Sequence, residues 1–278
     1  MLSAELLVHR PEFALRLVHC HEDHIGWSAP EAGERHGVVL VRSGGFRRRG
    51  PRGEMWADRA LGYLVTPGDE ERFAHPAGGD ECTAIHVSPR LWRAVSGPST
   101  ARRAAAVSVD SRLELDHRLL LRSARSGDVD FAVAERLLRL LAAATHEAGV
   151  AGGDPRSDTR HDATPTCTDR ALADAAREAL TAEHPSARGL LPLAELLGVS
   201  PYRLSRVFHR HVGVPLTRYR NRLRVGAALH RLENGEPSLA ALANDLGFAD
   251  QAHLTRTVRA EVGETPHRLR ALLAGPAG

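Results

Sequence analysis

Lysine is absent from this chain, and cysteine, aromatic residues and long apolar runs are scarce. All 37 basic side chains are arginine, which is typical of a GC-rich genome. The three cysteines, Cys20, Cys82 and Cys167, are too few and too widely spaced for a disulfide framework. No apolar run approaches the ~20 residues of a membrane span, and the first residues do not resemble an export signal. These absences exclude a disulfide scaffold and a membrane-spanning chain, and they predict a cytoplasmic protein.

The residues that are present indicate a globular protein with an uneven charge distribution. The 278 residues are 42% hydrophobic and 26% charged, and this length favours two domains. Residues 169–278 hold 15 arginines against 11 acidic residues, whereas the preceding part holds 22 against 23. Between residues 201 and 231 there are eight arginines and no acidic residue. Such a block favours a polyanionic partner over a solvated helical surface, which usually mixes both signs.

The texture of the chain divides it into four segments. Short apolar runs separated by turn residues between positions 36 and 87 predict the strands of an antiparallel sandwich or barrel in a first domain, residues 1–106. Leucines at helical spacing predict two helices separated near Gly127, in a segment covering residues 107–149. Residues 150–168 are rich in Gly, Pro, Asp and Thr and predict a flexible linker. Residues 169–278 are predicted to form a second, all-helical domain.

The helical domain contains an internal repeat. The motif at Leu204, Ser205 and Arg206 recurs 50 residues later as Leu254, Thr255 and Arg256. Each copy predicts a short helix, a turn and a second helix, which is a helix-turn-helix unit. The sharp turns fall at glycines that tolerate positive φ, and a capping residue follows each of them. These turn and cap positions are Gly198 with Ser200 and Gly247 with Asp250.

The second helix of each unit is predicted to enter the major groove of DNA, where outward side chains reach base edges. The predicted base contacts are Tyr202, Ser205, Arg206, Gln251, Thr255 and Arg256. Intramolecular ion pairs for the two arginines and simple packing for Tyr202 are the alternatives. The predicted phosphate contacts, which supply affinity without sequence information, are Arg203, Arg210, Arg218, Arg220 and Arg222.

Four consecutive stretches of residues 169–272 resemble a known family. The stretches are LAELLGVSPYRLSRVF, GVPLTRYRNRLRVGAAL, SLAALANDLGFADQAHLTRTV and GETPHRLR. They are similar to the DNA-binding domain of AraC/XylS-type bacterial transcription regulators, and the resemblance implies seven helices with two helix-turn-helix units. This sequence departs from the family where Leu254 and Val258 replace the common Phe, and where Ala252 replaces a polar base contact of some members. The departures bear on the contacts of the second unit.

The first domain resembles the cupin-like sensory domain of the same family. The resemblance is carried by LVTPGDEERFAHP and by HPAGGDECTAIHVS. The implied fold is α+β with two domains: an N-terminal cupin-like antiparallel β-barrel with following helices that support a homodimer, and a C-terminal all-α domain. A small-molecule effector is then expected in the barrel. The aromatic candidates for its walls are Trp27, Trp56, Tyr63 and Phe73, each of which an ordinary barrel core would use equally well.

Cysteine and histidine residues offer a second type of signal. A closed barrel brings the group around Cys20 and His24 near His75 and Cys82, and these residue types suit zinc or a similar ion. The alternation of a strand sends His19 and His21 to the face opposite Cys20. This alternation counts against a metal site, as does the abundance of histidine, because 16 histidines make chance clusters common. The candidate metal set is Cys20, His24, His75 and Cys82, with no cofactor otherwise required. Cys20 or Cys82 as a redox sensor is the other alternative.

The function predicted from the sequence is a sequence-specific, DNA-binding transcription regulator, not an enzyme. Its expected partners are double-stranded promoter DNA, RNA polymerase if it activates, a second copy of the chain and an effector, with no membrane. No catalytic residues are expected, because the sequence contains no phosphate loop, nucleophile elbow or zinc-protease motif. Two alternatives stay open: a cupin-type metal-dependent enzyme fused to a DNA-binding domain, and a non-specific DNA-binding protein. The sign of regulation is left open.

Overall fold

A computed structural model describes residues 2–21, 25–76, 78–100, 106–151 and 167–273. Ten strands form one antiparallel sheet whose order is β1-β2-β9-β4-β7-β6-β5-β8-β3, with β10 paired to β7. The sheet curls into a half-barrel, so the first domain has the predicted class of fold. The strands are β1 (Leu2–His9), β2 (Phe13–Cys20), β3 (Glu31–Ala32), β4 (His36–Ser43), β5 (Gly45–Gly50), β6 (Gly53–Asp58), β7 (Leu61–Val65), β8 (Glu70–Ala74), β9 (Asp80–Val87) and β10 (Ala106–Ser108).

The two faces of the sheet bury different sets of side chains. On β4, Val38 and Leu40 belong to the core beneath the following helices, whereas Val39 and Val41 belong to a second core with Phe46. This alternation follows from the two-residue period of a strand. The sheet is therefore covered by helices on one face and carries the concave side of the half-barrel on the other.

Three helices follow the strands of the half-barrel. They are α1 (Pro89–Thr100), α2 (Ser111–Ser126) and α3 (Ala134–Ala151). Asp110 caps α2 by accepting hydrogen bonds from the amides of Arg112 and Leu113, and Gly127 ends it at φ 88°. A π-helical turn, Val129–Val133, leads into α3. The two helices separated near Gly127 are thus α2 and α3.

The C-terminal part contains seven α-helices between residues 167 and 273. They are α4 (Cys167–Thr181), α5 (Leu190–Leu196), α6 (Pro201–Val212), α7 (Leu216–Glu233), α8 (Leu239–Asp245), α9 (Gln251–Val262) and α10 (Pro266–Leu273). One apolar core lies under α5 and α6 and another under α8 and α9, and α7 contributes to both. Of the predicted linker 150–168, residues 152–166 lie outside the described part of the chain. Among the described helices, none combines the length and the hydropathy that a membrane span needs.

The helical domain packs against the half-barrel at a buried polar network. Asp58 of β6 accepts hydrogen bonds from the Arg177 guanidinium at 2.9 Å and from the Tyr219 hydroxyl. Arg177 also donates to the carbonyl of Trp56 and, at 3.2 Å, to the Tyr219 oxygen. Burial by itself lowers the pKa of Arg177, but Asp58, Tyr219 and Asp174 together outweigh burial and raise it. This network of Asp58, Arg177 and Tyr219 joins the first helix-turn-helix unit to the sheet.

A second contact joins α2 to the other helix-turn-helix unit. Leu115 and Leu119 pack against the core that contains Leu254 and Val258. Arg118 of α2 forms an ion pair with Glu114 of its own helix and with Glu233 of α7. The leucines from which the sequence predicted dimerisation therefore include two that contact the DNA-binding part of the same chain.

Candidate functional site

The two helix-turn-helix units have the same local construction. Gly198 and Gly247 occupy the left-handed region at φ 65° and 70°, where a residue with a Cβ is strained. The Ser200 hydroxyl accepts a hydrogen bond from the Arg203 amide at 3.2 Å. Asp250 accepts one from the His253 amide at 2.6 Å. Each second helix, α6 or α9, therefore begins at a capped N-terminus directly after a glycine turn.

The outward face of α6 carries the three base-contacting residues predicted for the first unit. Tyr202 is 71% exposed, and Ser205 and Arg206 are exposed beside it. The Arg206 guanidinium lies 5.7 Å from the centre of the Tyr202 ring, within the range of a cation–π contact. The same helix buries Leu204 and Phe208. The helix thus presents a polar and aromatic surface opposite its core face.

The outward face of α9 is similar in the second unit. Gln251 and Arg256 are exposed, and Thr255 is half-buried. Leu254 and Val258 are fully buried in the core of the unit. Of the three positions that depart from the AraC/XylS pattern, Leu254 and Val258 are therefore core positions, where an aliphatic side chain fills the place of an aromatic one, and Ala252 is exposed.

Four of the five arginines predicted to contact phosphates lie on the surface of the helical domain. Arg203 and Arg210 both approach the Asp169 carboxylate, at 3.3 Å and 3.9 Å. Arg218 is exposed, and half-buried Arg220 donates to the carbonyl of Arg188 at 2.9 Å. Asp169 is a carboxylate that a bound phosphate would have to displace from Arg203 and Arg210.

Arg222, the fifth arginine predicted to contact a phosphate, lies at the contact between the domains, and its phosphate contact stays a prediction. It is half-buried and donates to the Ser108 hydroxyl of β10 at 3.3 Å. Burial and the neighbouring Arg218 charge lower the pKa of Arg222. Successive residues of an α-helix are rotated by about 100° around its axis, so the arginines of one block point in several directions. A block of arginines in the sequence therefore does not define a single face. Arg222 contacts the half-barrel in this arrangement.

The concave side of the half-barrel contains a cleft of about 480 Å³. Of the four aromatic residues predicted to line it, Tyr63 and Phe73 do so. Trp27 is instead half-buried, and the Arg49 guanidinium lies 4.1 Å from the centre of the Trp27 ring. The prediction that Trp56 lines the cleft was wrong. Its neighbours Met55 and Ala57 face the concave side, and Trp56 is buried on the other side of β6.

Charged groups in the cleft were missed by the sequence reasoning. Arg48 and Glu71 form a buried ion pair, and the Arg48 guanidinium lies 4.5 Å from the centre of the Tyr63 ring. Burial and the Glu71 charge raise the pKa of Tyr63. Arg16 and His86 also line the cleft. The run of arginines in β5 was the available signal for a buried charge. Neighbouring residues of a strand face opposite sides, so three arginines in succession cannot all face solvent on one side of the sheet.

The predicted metal set is partly brought together. Cys20 and His75 meet Asp80, and their ligand atoms lie within 4.8 Å of one another. The Cys82 thiol donates to Asp80 at 2.9 Å. His24 lies outside the described residues. Asp80, two residues before Cys82 on the same strand, was missed, although a period of two places both on one face.

The two thiols of this cluster differ from a reactive redox pair. Cys20 and Cys82 are both buried, and neither forms a disulfide. Burial raises the pKa of Cys82 well above its ordinary value, and the Asp80 carboxylate raises it further. Because the thiolate is the nucleophile, a thiol held in its protonated form is slow to oxidise. The raised pKa therefore argues against Cys82 as a redox sensor.

Comparison with known proteins finds relatives of the C-terminal part. A model of the helix-turn-helix domain matches residues 193–271. The HTH-type transcriptional activator RhaS of Escherichia fergusonii is 35% identical over 78 residues, which cover 28% of this chain and 28% of that protein. RhaS of Pectobacterium carotovorum is 32% identical over the same length. The chain thus matches less than a third of the length of these relatives.

Solved structures overlap with the chain only loosely. ToxT from Vibrio cholerae, bound to an unsaturated fatty acid, is 10% identical with a TM-score of 0.38, covering 97% of this chain and 98% of that one. The C-terminal domain of AraT from Geobacillus stearothermophilus is 23% identical with a TM-score of 0.36, covering 38% and 88%. Such low TM-scores carry no inference. On its paired helix-turn-helix units and the match to residues 193–271, the C-terminal part of the chain contains a helix-turn-helix domain that is similar to those of AraC/XylS-type regulators.

Proposed function

We propose that the chain is a sequence-specific, DNA-binding transcription regulator whose half-barrel receives a signal. One observation carries this proposal: α6 and α9 begin at identically built, capped turns, and each exposes an arginine at the equivalent outward position. An α-helix with an exposed polar face fits the major groove of DNA. Two such helices joined by one connecting helix suit an asymmetric site that spans two neighbouring groove segments.

Each outward side chain has a proposed role in base recognition. Arg206 and Arg256 pair with guanine through two parallel hydrogen bonds, and Gln251 pairs with adenine. Ser205 and Thr255 donate or accept single hydrogen bonds, and Tyr202 contacts a thymine methyl group or the sugar edge. The proposed phosphate contacts are Arg203, Arg210, Arg218 and Arg220. A phosphate would replace Asp169 as the partner of the first two.

The signal is proposed to be a small organic molecule that binds in the cleft lined by Tyr63 and Phe73. Glu71, which is ion-paired with buried Arg48, and Arg16 supply charges at its wall, so a polar effector fits better than a purely apolar one. Binding there would change the population of arrangements in which the DNA-binding domain reaches its operator. The buried network of Asp58, Arg177 and Tyr219 is the physical connection through which the half-barrel acts on the first unit.

The remaining partners follow from the same proposal. The proposed macromolecular partner is promoter DNA. If the chain is an activator, as the RhaS proteins are named, RNA polymerase is a second partner. The proposed location is the cytoplasm. A homodimer is supported by Phe131 and Leu138, which lie near the start of α3 and are 74% and 43% exposed. Sedimentation should then give a dimer, and Phe131→Asp should shift it to a monomer. A monomer of the unmodified chain at all concentrations would remove the dimer from the proposal.

Selection of bound sequences from a random DNA pool, with the purified full-length chain, tests the function directly. We expect a motif that extends over two adjacent major-groove segments. Arg206→Ala should relax the base preference in one segment and Arg256→Ala in the other. Recovery of no motif, together with strongly salt-dependent binding of all DNA, would instead identify a non-specific DNA-binding protein.

A further inference from the structure

Four side chains that commonly bind metals meet where β2 and β9 pair. Cys20 lies directly opposite Asp80 in the antiparallel pairing, so both side chains stand on one face of the sheet. Cys82 stands on the same face two residues further along β9. His75 follows β8 and reaches the group from the side, with its Nδ1 atom 2.7 Å from an Asp80 oxygen. All four residues are buried.

The turn between His75 and Asp80 is built for this close approach. Gly78 has φ +89°, a conformation that residues with a Cβ rarely adopt. A Cβ on Gly79 would lie 2.1 Å from the carbonyl oxygen of Cys20. Only glycine therefore allows the turn to pass so near the end of β2. This passage is what brings an imidazole and a carboxylate to the Cys20 thiol.

We propose that Cys20, His75 and Asp80 bind one zinc-class divalent cation. A thiolate, an imidazole and a carboxylate are the donor types that zinc uses, and a tetrahedral centre with ordinary bond lengths separates such donors by about 3.5 Å. The three donor atoms lie within 4.8 Å of one another, so small side-chain rotations suffice. This proposal stands whether or not the chain regulates transcription.

The charges of the proposed site balance, which matters because the site is buried. One thiolate and one carboxylate neutralise a divalent cation, and the imidazole binds in its neutral form. A buried charge without such compensation is strongly unfavourable. Binding releases the Cys20 proton to solvent, since only the thiolate is a ligand. The fourth coordination position is left to an exogenous donor.

Cys82 is a positioning residue for the site and not a ligand. Its thiol donates a hydrogen bond to the second oxygen of Asp80 at 2.9 Å. A partner of this kind fixes the orientation of a ligating carboxylate, and its loss typically weakens metal binding by about 10–100-fold. The metal would therefore be bound by a single thiolate, although two cysteines are present. The number of thiolate ligands can be measured by spectroscopy.

Titration of the full-length, reduced and metal-stripped chain with Co²⁺ tests the proposal. We expect one equivalent to bind with the visible bands of tetrahedral cobalt and a thiolate-to-cobalt charge-transfer band, and Zn²⁺ to displace it. Cys20→Ser should abolish the charge-transfer band. Cys82→Ala, which removes the hydrogen bond to Asp80, should retain the band with weaker binding. Two control variants, Cys167→Ser and exposed His146→Gln, should match the unmodified chain.

Several outcomes would overturn the site. One is a folded, unmodified chain that binds no cobalt at stoichiometric concentration, or binds it only with the weak bands of octahedral coordination. Another is a charge-transfer band that survives Cys20→Ser. Asp80→Asn, which keeps the shape of the side chain but removes its charge, should weaken binding beyond the effect of Cys82→Ala, and unchanged binding would contradict the ligand set. If a variant does not fold, the spectrum of the unmodified chain still decides.

Discussion

The two helix-turn-helix units share their local structure but are attached to the N-terminal half by different forces. The first unit is held by the network of Asp58, Arg177 and Tyr219, in which a buried carboxylate faces a guanidinium. The second unit is held by Leu115 and Leu119 of α2, which pack into its apolar core beside the ion pair of Arg118 with Glu233. An internal repeat therefore determines turns, caps and core positions, whereas the surroundings of each copy depend on the rest of the chain.

The two attachments differ in how they respond to change. A buried ion pair depends on direction and distance, and removing one partner leaves an uncompensated charge. Apolar packing is less directional and tolerates small shifts of the packed helices. We therefore expect the first unit to be either fully attached or released. The second unit can adjust its position gradually against α2.

Asp58→Ala should have the largest effect, because it leaves Arg177 buried without its carboxylate. We expect the free energy of unfolding to fall by about 3–5 kcal/mol. The matched control is Arg47→Ala, which removes an exposed pair with Glu178 across the same boundary and should cost less than about 1 kcal/mol. Urea denaturation of the three proteins measures both values. Equal losses for the two variants would mean that the buried network does not hold the first unit.

A pH titration probes the packing of α2 against the half-barrel, because His117 is buried in α2 between Leu113 and Leu120, which belong to the core beneath the sheet. Burial lowers the pKa of His117 from 6.5 to about 3. The unfolded imidazole takes up a proton between pH 7 and pH 5 while the folded one does not, so stability falls with pH by about 2 kcal/mol over this range. His117→Gln should remove that loss, and His146→Gln should keep it. A slope unaffected by His117→Gln would show that the histidine becomes protonated in the folded chain.

The C-terminal half was predicted more completely than the N-terminal half. Periodicity, glycine turns and caps such as Ser200 and Asp250 are local signals, so two units could be derived from sequence. The half-barrel depends on pairings between distant strands: β1 was not predicted, and of β2 only the alternation around Cys20 was used. Arg222 shows the same limit, since its partner Ser108 lies far away in sequence. Contacts at long separation leave no local pattern that a single sequence displays.

Equivalent substitutions in α6 and α9 sharpen the comparison on DNA. Arg206→Ala and Arg256→Ala should each cost about 1–3 kcal/mol on the selected site, and each should relax one base position. The two effects should add in the double variant, because the helices contact separate groove segments. Binding isotherms on the selected site and on random DNA provide the values. Equal weakening on both DNAs would assign the tested arginine to a phosphate.

The smallest effect separates two arginines of the same helix, α7. Arg218 is exposed, so Arg218→Ala should reduce the salt dependence of DNA binding by about 0.9, the value for one lost phosphate contact. Arg222 donates to Ser108 of the half-barrel, so Arg222→Ala should leave the salt dependence unchanged. A reduced slope for Arg222→Ala would mean that the half-barrel withdraws from α7 when DNA binds. In that case DNA and the half-barrel would compete for Arg222, because the contact between Arg222 and Ser108 would break when DNA binds. Docking of the half-barrel on α7 would then be the regulated step.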